Sequence, residues 1–154
     1  MKKPEVKFMK MAIKEAIKAR DIDEVPVGCV IVKDNKVIAR GYNKREKDQD
    51  PTSHAELKTL QKAGKKLNSW RLEDCDIYVT LEPCIMCSGA IIQSRIRHIY
   101  FGAYDPKGGA LGSSINVLEA NNINHHPEVT GGVLEEECAI ILKDYFRKKR
   151  ELKK

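Results

Sequence analysis

The sequence predicts an α/β fold, and three observations carry that prediction. Strand, helix and strand patterns follow one another between Ile77 and Ala103, a βαβ unit with parallel neighbours and a right-handed crossover. Two apolar, β-branched runs, Val27 to Val32 and Val37 to Tyr42, flank the turn-like Lys33-Asp34-Asn35-Lys36 and read as a hairpin. Amphipathic helical patterns stand at both ends of the chain. At 154 residues, with no internal repeat or low-complexity segment, residues 1–154 are expected to form one domain with a substantial core.

Taken in order, Met9, Ile13, Ala16 and Ile17 recur at helical spacing and predict a helix from about Glu5 to Arg20. The hairpin follows, and then a charged loop from Lys44 to Pro51. His54 to Ala63 reads as a helix, with Gly64 as its stop signal. Ile77 to Leu81 is a short buried strand interrupted by Pro83, Cys87 to Ser94 a helix, and Ile99 to Ala103 the next strand. The Gly-rich stretch from Asp105 to Ser114 is expected to be a loop, Asn116 to Ala120 a short helix and Glu128 to Thr130 a short strand. From Leu134 onward, Cys138, Ile141, Leu142 and Tyr145 mark a long terminal helix with a basic tail.

Composition narrows the functional classes. No apolar run approaches the ~20 residues needed to span a bilayer, and the lysine-rich N-terminus lacks the apolar stretch of a secretion signal. A cytoplasmic protein is expected. Five cysteines at irregular spacing do not make a disulfide framework. Cys29, Cys75 and Cys138 sit in apolar patterns and are expected to be small buried hydrophobes. The net charge of +6 is concentrated at the ends: residues 1–20 and residues 143–154 each hold seven Lys/Arg against two acids, while the stretch between is net acidic. Such ends suit a polyanionic partner, and they equally suit two solvated helix faces.

Two clusters carry chemistry: His54 and Glu56 in Thr52-Ser53-His54-Ala55-Glu56-Leu57, and Cys84 and Cys87 in Glu82-Pro83-Cys84-Ile85-Met86-Cys87. One imidazole and two thiolates are three soft ligands, the count of a catalytic zinc site that keeps a position open. A carboxyl two residues from the histidine can carry the protons of a water at that position. Cys-x-x-Cys alone also fits a redox dithiol or half of a structural zinc site, but neither reading uses His54 or Glu56. Glu56 has its own alternative, since Ser53 three residues earlier completes a capping box. Residues i and i+2 do not share a helix face, so His54 and Glu56 address one ion only if it lies off the helix N-terminus. Lesser candidates are read as structural: His125 and His126 as surface residues, His98 as a strand end, and Trp70 as a packing anchor.

His-x-Glu followed by Pro-Cys-x-x-Cys is the signature of the zinc nucleoside and nucleobase deaminases. Beyond it, Val25-Pro26-Val27-Gly28, Gly41-Tyr42-Asn43, the run from Asp50 to Glu56 and the run from Tyr78 to Cys84 resemble the bacterial tRNA-specific adenosine deaminases. So do the run from Phe101 to Lys107, the Gly109-Ala110-Leu111-Gly112-Ser113 loop, and the ending from Tyr145 to Arg150. The resemblance implies a three-layer α/β/α, cytidine-deaminase-like fold with a mixed sheet of about five strands, and a homodimer. It implies one zinc per chain on His54, Cys84 and Cys87, with Glu56 as the catalytic proton carrier. The implied reaction is hydrolytic deamination of the wobble adenosine of a tRNA anticodon stem-loop to inosine. Matching positions for RNA contact are Asn43 at the base, Asp105 and Lys107 in the loop, and Phe146 and Arg150 at the end, with Ala55, Val27 and Leu81 around the base pocket. Two other readings share the motif: a deaminase of a free nucleobase or nucleoside of guanine or cytosine type, and a non-catalytic zinc-containing RNA-binding subunit.

Overall fold

The computed structural model describes residues 3–153; Met1 and two of the cations counted at the ends, Lys2 and Lys154, lie outside them. The chain runs α1 (Val6–Asp21), β1 (Gly28–Lys33), β2 (Lys36–Tyr42), α2 (Arg45–Asp48), α3 (Ala55–Leu67), β3 (Cys75–Leu81), α4 (Ile85–Gln93), β4 (His98–Ala103), a 3₁₀ turn (Val117–Glu119), β5 (Glu128–Thr130) and α5 (Glu135–Leu152). The five strands form one mixed sheet in the order β2-β1-β3-β4-β5. β1 is antiparallel to both β2 and β3, whereas β3–β4 and β4–β5 are parallel. The hairpin turn is two residues long, with Asp34 and Asn35 both at positive φ. That backbone matches the right-handed twist of the strands, and Asp and Asn tolerate it.

Side-chain alternation along β1 fixes the layers. Gly28 lies against the backbone of Ala12 and Ala16 in α1. The next residue, Cys29, faces Thr59 and Glu56 of α3 on the other side of the sheet. Gly102 of β4 lies against Cys138 of α5. Gly102 shares its face with Tyr100, which pairs with Tyr78, and Tyr78 touches Phe8 of α1. Helices α1 and α5 therefore cover one face, and α3 with its neighbour α4 covers the other. The fold is the expected three-layer α/β/α architecture.

Gly28 is where this packing is tightest. A Cβ there would fall 2.0 Å from the Ala12 carbonyl oxygen and 2.4 Å from the Ala16 nitrogen, both immobile helix backbone. Gly28→Ala should push α1 off the sheet and destabilise the fold by about 1–3 kcal/mol or more. Urea unfolding measures it, and a loss under roughly 0.5 kcal/mol, the range of ordinary surface substitutions, would contradict this packing.

Four local expectations change. The charged loop from Lys44 to Pro51 contains the helical turn α2, because the buried carboxylate of Glu24 accepts the backbone N–H groups of Glu46 (3.1 Å) and Lys47 (2.7 Å). Helix α3 continues through Gly64 to Leu67 and stops on Asn68, whose φ of 51° is left-handed. An interior glycine costs a helix only about 1 kcal/mol, which the packing of α3 outweighs. Helix α4 starts at Ile85, two residues before Cys87, with Cys84 as its N-cap. Trp70 is not a packing anchor: it is 62% exposed with the Arg71 guanidinium over its ring, and Leu72 takes the buried position instead.

Candidate active site

Two helix starts meet at the site. His54 is the N-cap residue of α3 and Cys84 the N-cap residue of α4, both with extended backbone, and Cys87 lies in the first turn of α4. The His54 Nδ1 is 3.7 Å from Cys84 Sγ and 3.5 Å from Cys87 Sγ. All three donor atoms lie within 4.8 Å of one another, a cluster able to hold a metal ion. Because His54 stands at the cap, the difficulty of reaching one point from positions i and i+2 does not arise.

The capping box does not form. The Ser53 hydroxyl donates to Asp48 Oδ2 at 2.9 Å, and the N-cap residue His54 makes no side-chain cap bond. Glu56 is only 4% exposed. Burial above all pushes its carboxyl up to about 7, with the neighbouring Cys84 adding to the rise and His54 opposing it. The two sulfurs divide between charged and neutral forms. Cys84 is brought down to about 4, chiefly by a hydrogen bond from the Cys87 thiol and with help from His54 and the Cys87 backbone N–H at the helix start. Cys87 is driven strongly upward by that same bond and by burial. The bond to Cys84 raises His54 in turn, against its desolvation.

These groups open into a cleft of about 900 Å³. His54, Ala55, Glu56 and Cys84 line it, with Val27, Leu81 and Asn43 beside them. Cys87 is fully buried behind this surface. Asp105 and Lys107 come from the loop after β4, and Phe146 and Arg150 from α5. The structure thus brings every site residue implied by the family resemblance, Cys87 apart, to one cavity. Asn43 donates through Nδ2 to the Val25 carbonyl at 3.2 Å, and its buried Oδ1 has no partner among the described residues.

Some lining residues were not anticipated. Arg45 arrives through the unexpected turn α2, while Glu82 and Tyr104 flank residues already noted. Lys143, Lys149 and Lys153 join Phe146 and Arg150 along one side of α5. That stripe was legible, since positions three, four and seven apart share a helix face. Among the described residues of the two basic ends, only those of the C-terminal end line the cleft. Lys7 instead lies over the Phe8 ring and Lys18 pairs with the buried Glu15 at 2.7 Å. Phe146, 44% exposed, belongs to the cleft rather than to the core stripe. Of the lesser candidates, His98 opens β4 and sits buried against Glu128 and Thr130, and His125 bonds the Ile96 carbonyl.

A three-layer fold carrying a His-Cys-Cys cluster beside a buried glutamate defines a deaminase-type site. Comparisons with known proteins agree: residues 4–150 match the family model described as MafB19-like deaminase. The tRNA-specific adenosine deaminase of Bacillus subtilis is 50% identical over 147 residues, covering 96% of this chain and 91% of that protein. That of Agrobacterium fabrum is 46% identical over 143 residues, covering 93% and 94%. A solved structure from work on A-to-I editing by tRNA:A34 deaminases superposes with a TM-score of 0.87 at 45% identity, covering 90% of this chain and all of that one. A guanine deaminase from Bacillus subtilis is more distant, with a TM-score of 0.63 and 38% identity over 66% of each chain. The chain belongs to the tRNA-specific adenosine deaminase family.

Proposed function

We propose that this protein hydrolyses the wobble adenosine of a tRNA anticodon loop to inosine, releasing ammonia, as a single deaminase domain spanning residues 1–154. The observation that carries this reading is the joining of two unlike surfaces in one cleft: a buried His54/Glu56/Cys84/Cys87 centre and the cationic side of α5. A small neutral base needs the first of these but not the second. The family's tRNA substrate supplies a reason for both.

The donor set fits zinc. Sulfur and nitrogen ligands of one tetrahedral zinc, with bonds of ~2.3 and ~2.0–2.1 Å, lie roughly 3.6 Å apart, beside the 3.5 and 3.7 Å found here. His54, Cys84 and Cys87 would hold one zinc per chain, which would supply Lewis acidity and lower the pKa of a water able to attack C6 of adenine. The Glu56 carboxylate would take one proton from the attacking water and pass it to ring N1, then take the remaining proton from the new C6 hydroxyl and deliver it to the amine, so that ammonia leaves and the C6 carbonyl of inosine forms. Burial, the largest cause, raises this carboxyl above the ordinary carboxylate range, toward the pH where one group can both accept and donate. Asn43 has an acceptor oxygen free for an N–H of the substrate, and the apolar faces of Val27, Leu81 and Ala55 enclose the base. A wobble base is already unpaired in its loop, so the cleft can receive it without opening a duplex.

Asp105, Lys107, Phe146 and Arg150 then contact the loop around it, with phosphates meeting the basic side of α5. Arg150→Gln should raise the KM for tRNA and flatten its dependence on salt, reducing the slope of log KM against log salt by about 0.7 for a phosphate in single-stranded RNA. An unchanged slope would remove Arg150 from the interface. Likeness to the family supports a homodimer and a cytoplasmic location; no described helix is long and apolar enough to cross a membrane. The reading is tested by offering the zinc-loaded enzyme an anticodon stem-loop RNA beside free adenosine, guanine and cytosine. Turnover of the stem-loop alone is expected. Turnover of guanine or cytosine without the stem-loop would favour the free-base alternative.

A further inference from the structure

Glu82 lies between a cleft wall, Leu81, and the Pro83-Cys84 turn, and it is only 2% exposed. Its carboxylate gathers donors from both ends of the loop from Asp105 to Ser113. Oε1 accepts from the Asp105 N–H at 3.1 Å and from the Ser113 hydroxyl. Oε2 accepts from the Leu111 and Ser113 N–H groups, each at 3.1 Å. Two backbone bonds run alongside, Glu82 N–H to the Ala103 carbonyl at 2.8 Å and Ala110 N–H to the Pro83 carbonyl at 2.9 Å. The loop closes directly onto this carboxylate: a Cβ at Gly109 would fall 2.3–2.6 Å from the Glu82 carboxyl atoms.

The restraint reaches the cleft in one step. Asp105, held through its N–H by Glu82, accepts through Oδ1 from the N–H groups of Lys107 and Gly108, both at 3.1 Å. That turn presents Lys107 and Gly108 to the cleft. A buried carboxylate accepting several hydrogen bonds is a strong, directional anchor, and removing one acceptor leaves buried donors without partners. We propose that Glu82 is a positioning residue for RNA binding: its carboxylate is engaged by the donors of the Asp105–Ser113 loop and sets that loop so that Asp105 and Lys107 meet the anticodon loop. This rests on the tRNA reading above.

Glu82→Gln keeps the volume but turns one acceptor into an N–H₂ donor facing other donors. The expected result is a KM for the anticodon stem-loop raised about tenfold, the equivalent of one hydrogen bond to a charged group, with kcat within about threefold and zinc near one per chain. Ser113→Ala, a milder change made from the loop side, should raise KM about threefold, and the double variant should show less than the product of the two effects. A mere fold defect would instead lower kcat and zinc content together and leave KM unmoved. Either that pattern in Glu82→Gln, or KM unchanged in a folded Ser113→Ala enzyme, would overturn the assignment. Should the unaltered enzyme form no inosine in the stem-loop, the functional reading itself fails. Failure of the Glu82 inference alone shows only in the variants.

Discussion

Replacing Glu56 by glutamine should lower the deamination rate by roughly 10²–10⁴-fold, the usual contribution of a positioned acid–base group, while zinc stays near one per chain. The expectation follows from what the side chain touches. Glu56 is buried beside Cys84 and His54, burial raises its carboxyl above the ordinary range, and the Ser53 hydroxyl is turned to Asp48 instead of completing a capping box. Glutamine fills the same space but cannot shuttle a proton between water, ring nitrogen and leaving amine. The measurement is single-turnover inosine formation paired with metal analysis of the same sample. Loss of zinc in step with activity would make Glu56 a support for the cluster instead of a proton carrier.

Cys87→Ala should remove both metal and activity and leave a less stable chain. Cys87 is the one cluster member buried outside the cleft, so no water or substrate group can replace its sulfur. The fold itself should survive, because the sheet is held by strand pairings in which Cys87 takes no part. An ion that binds only the folded chain stabilises it by about 4 kcal/mol when present at 1,000 times its Kd. The unaltered protein should therefore melt lower after treatment with a strong chelator and recover with added zinc, whereas Cys87→Ala should respond to neither. A variant that still binds zinc stoichiometrically would show that the cluster is not the metal site.

Much of the fold was legible because its signals are local. Apolar, β-branched runs, the Asp34-Asn35 turn and the 3.6-residue stripes of α1 and α5 each rest on neighbouring residues, and their elements stand within a few residues of expectation. Elements set by distant partners were not legible. The turn α2 exists because Glu24, more than twenty residues away, accepts its N–H groups. The same holds for the site. Spacing marked His54, Glu56, Cys84 and Cys87, yet whether Ser53 would cap α3 depended on Asp48 drawing its hydroxyl away. Glu82 was read only as part of a motif, since its role depends on a loop about thirty residues onward that folds back onto it. Charge counting found two equivalent basic ends, and only packing shows that α5 faces the cleft while α1 covers the sheet.

The central claim, that this cleft deaminates a wobble adenosine, is tested most directly by incubating the zinc-loaded enzyme with unmodified tRNA transcripts and sequencing their cDNA. Inosine pairs with cytosine and reads as guanosine. The expected result is A-to-G conversion at the first anticodon position of transcripts that carry adenosine there, absent with Glu56→Gln and absent when that position is not adenosine. No conversion at any anticodon adenosine, alongside release of ammonia from a free base, would contradict it.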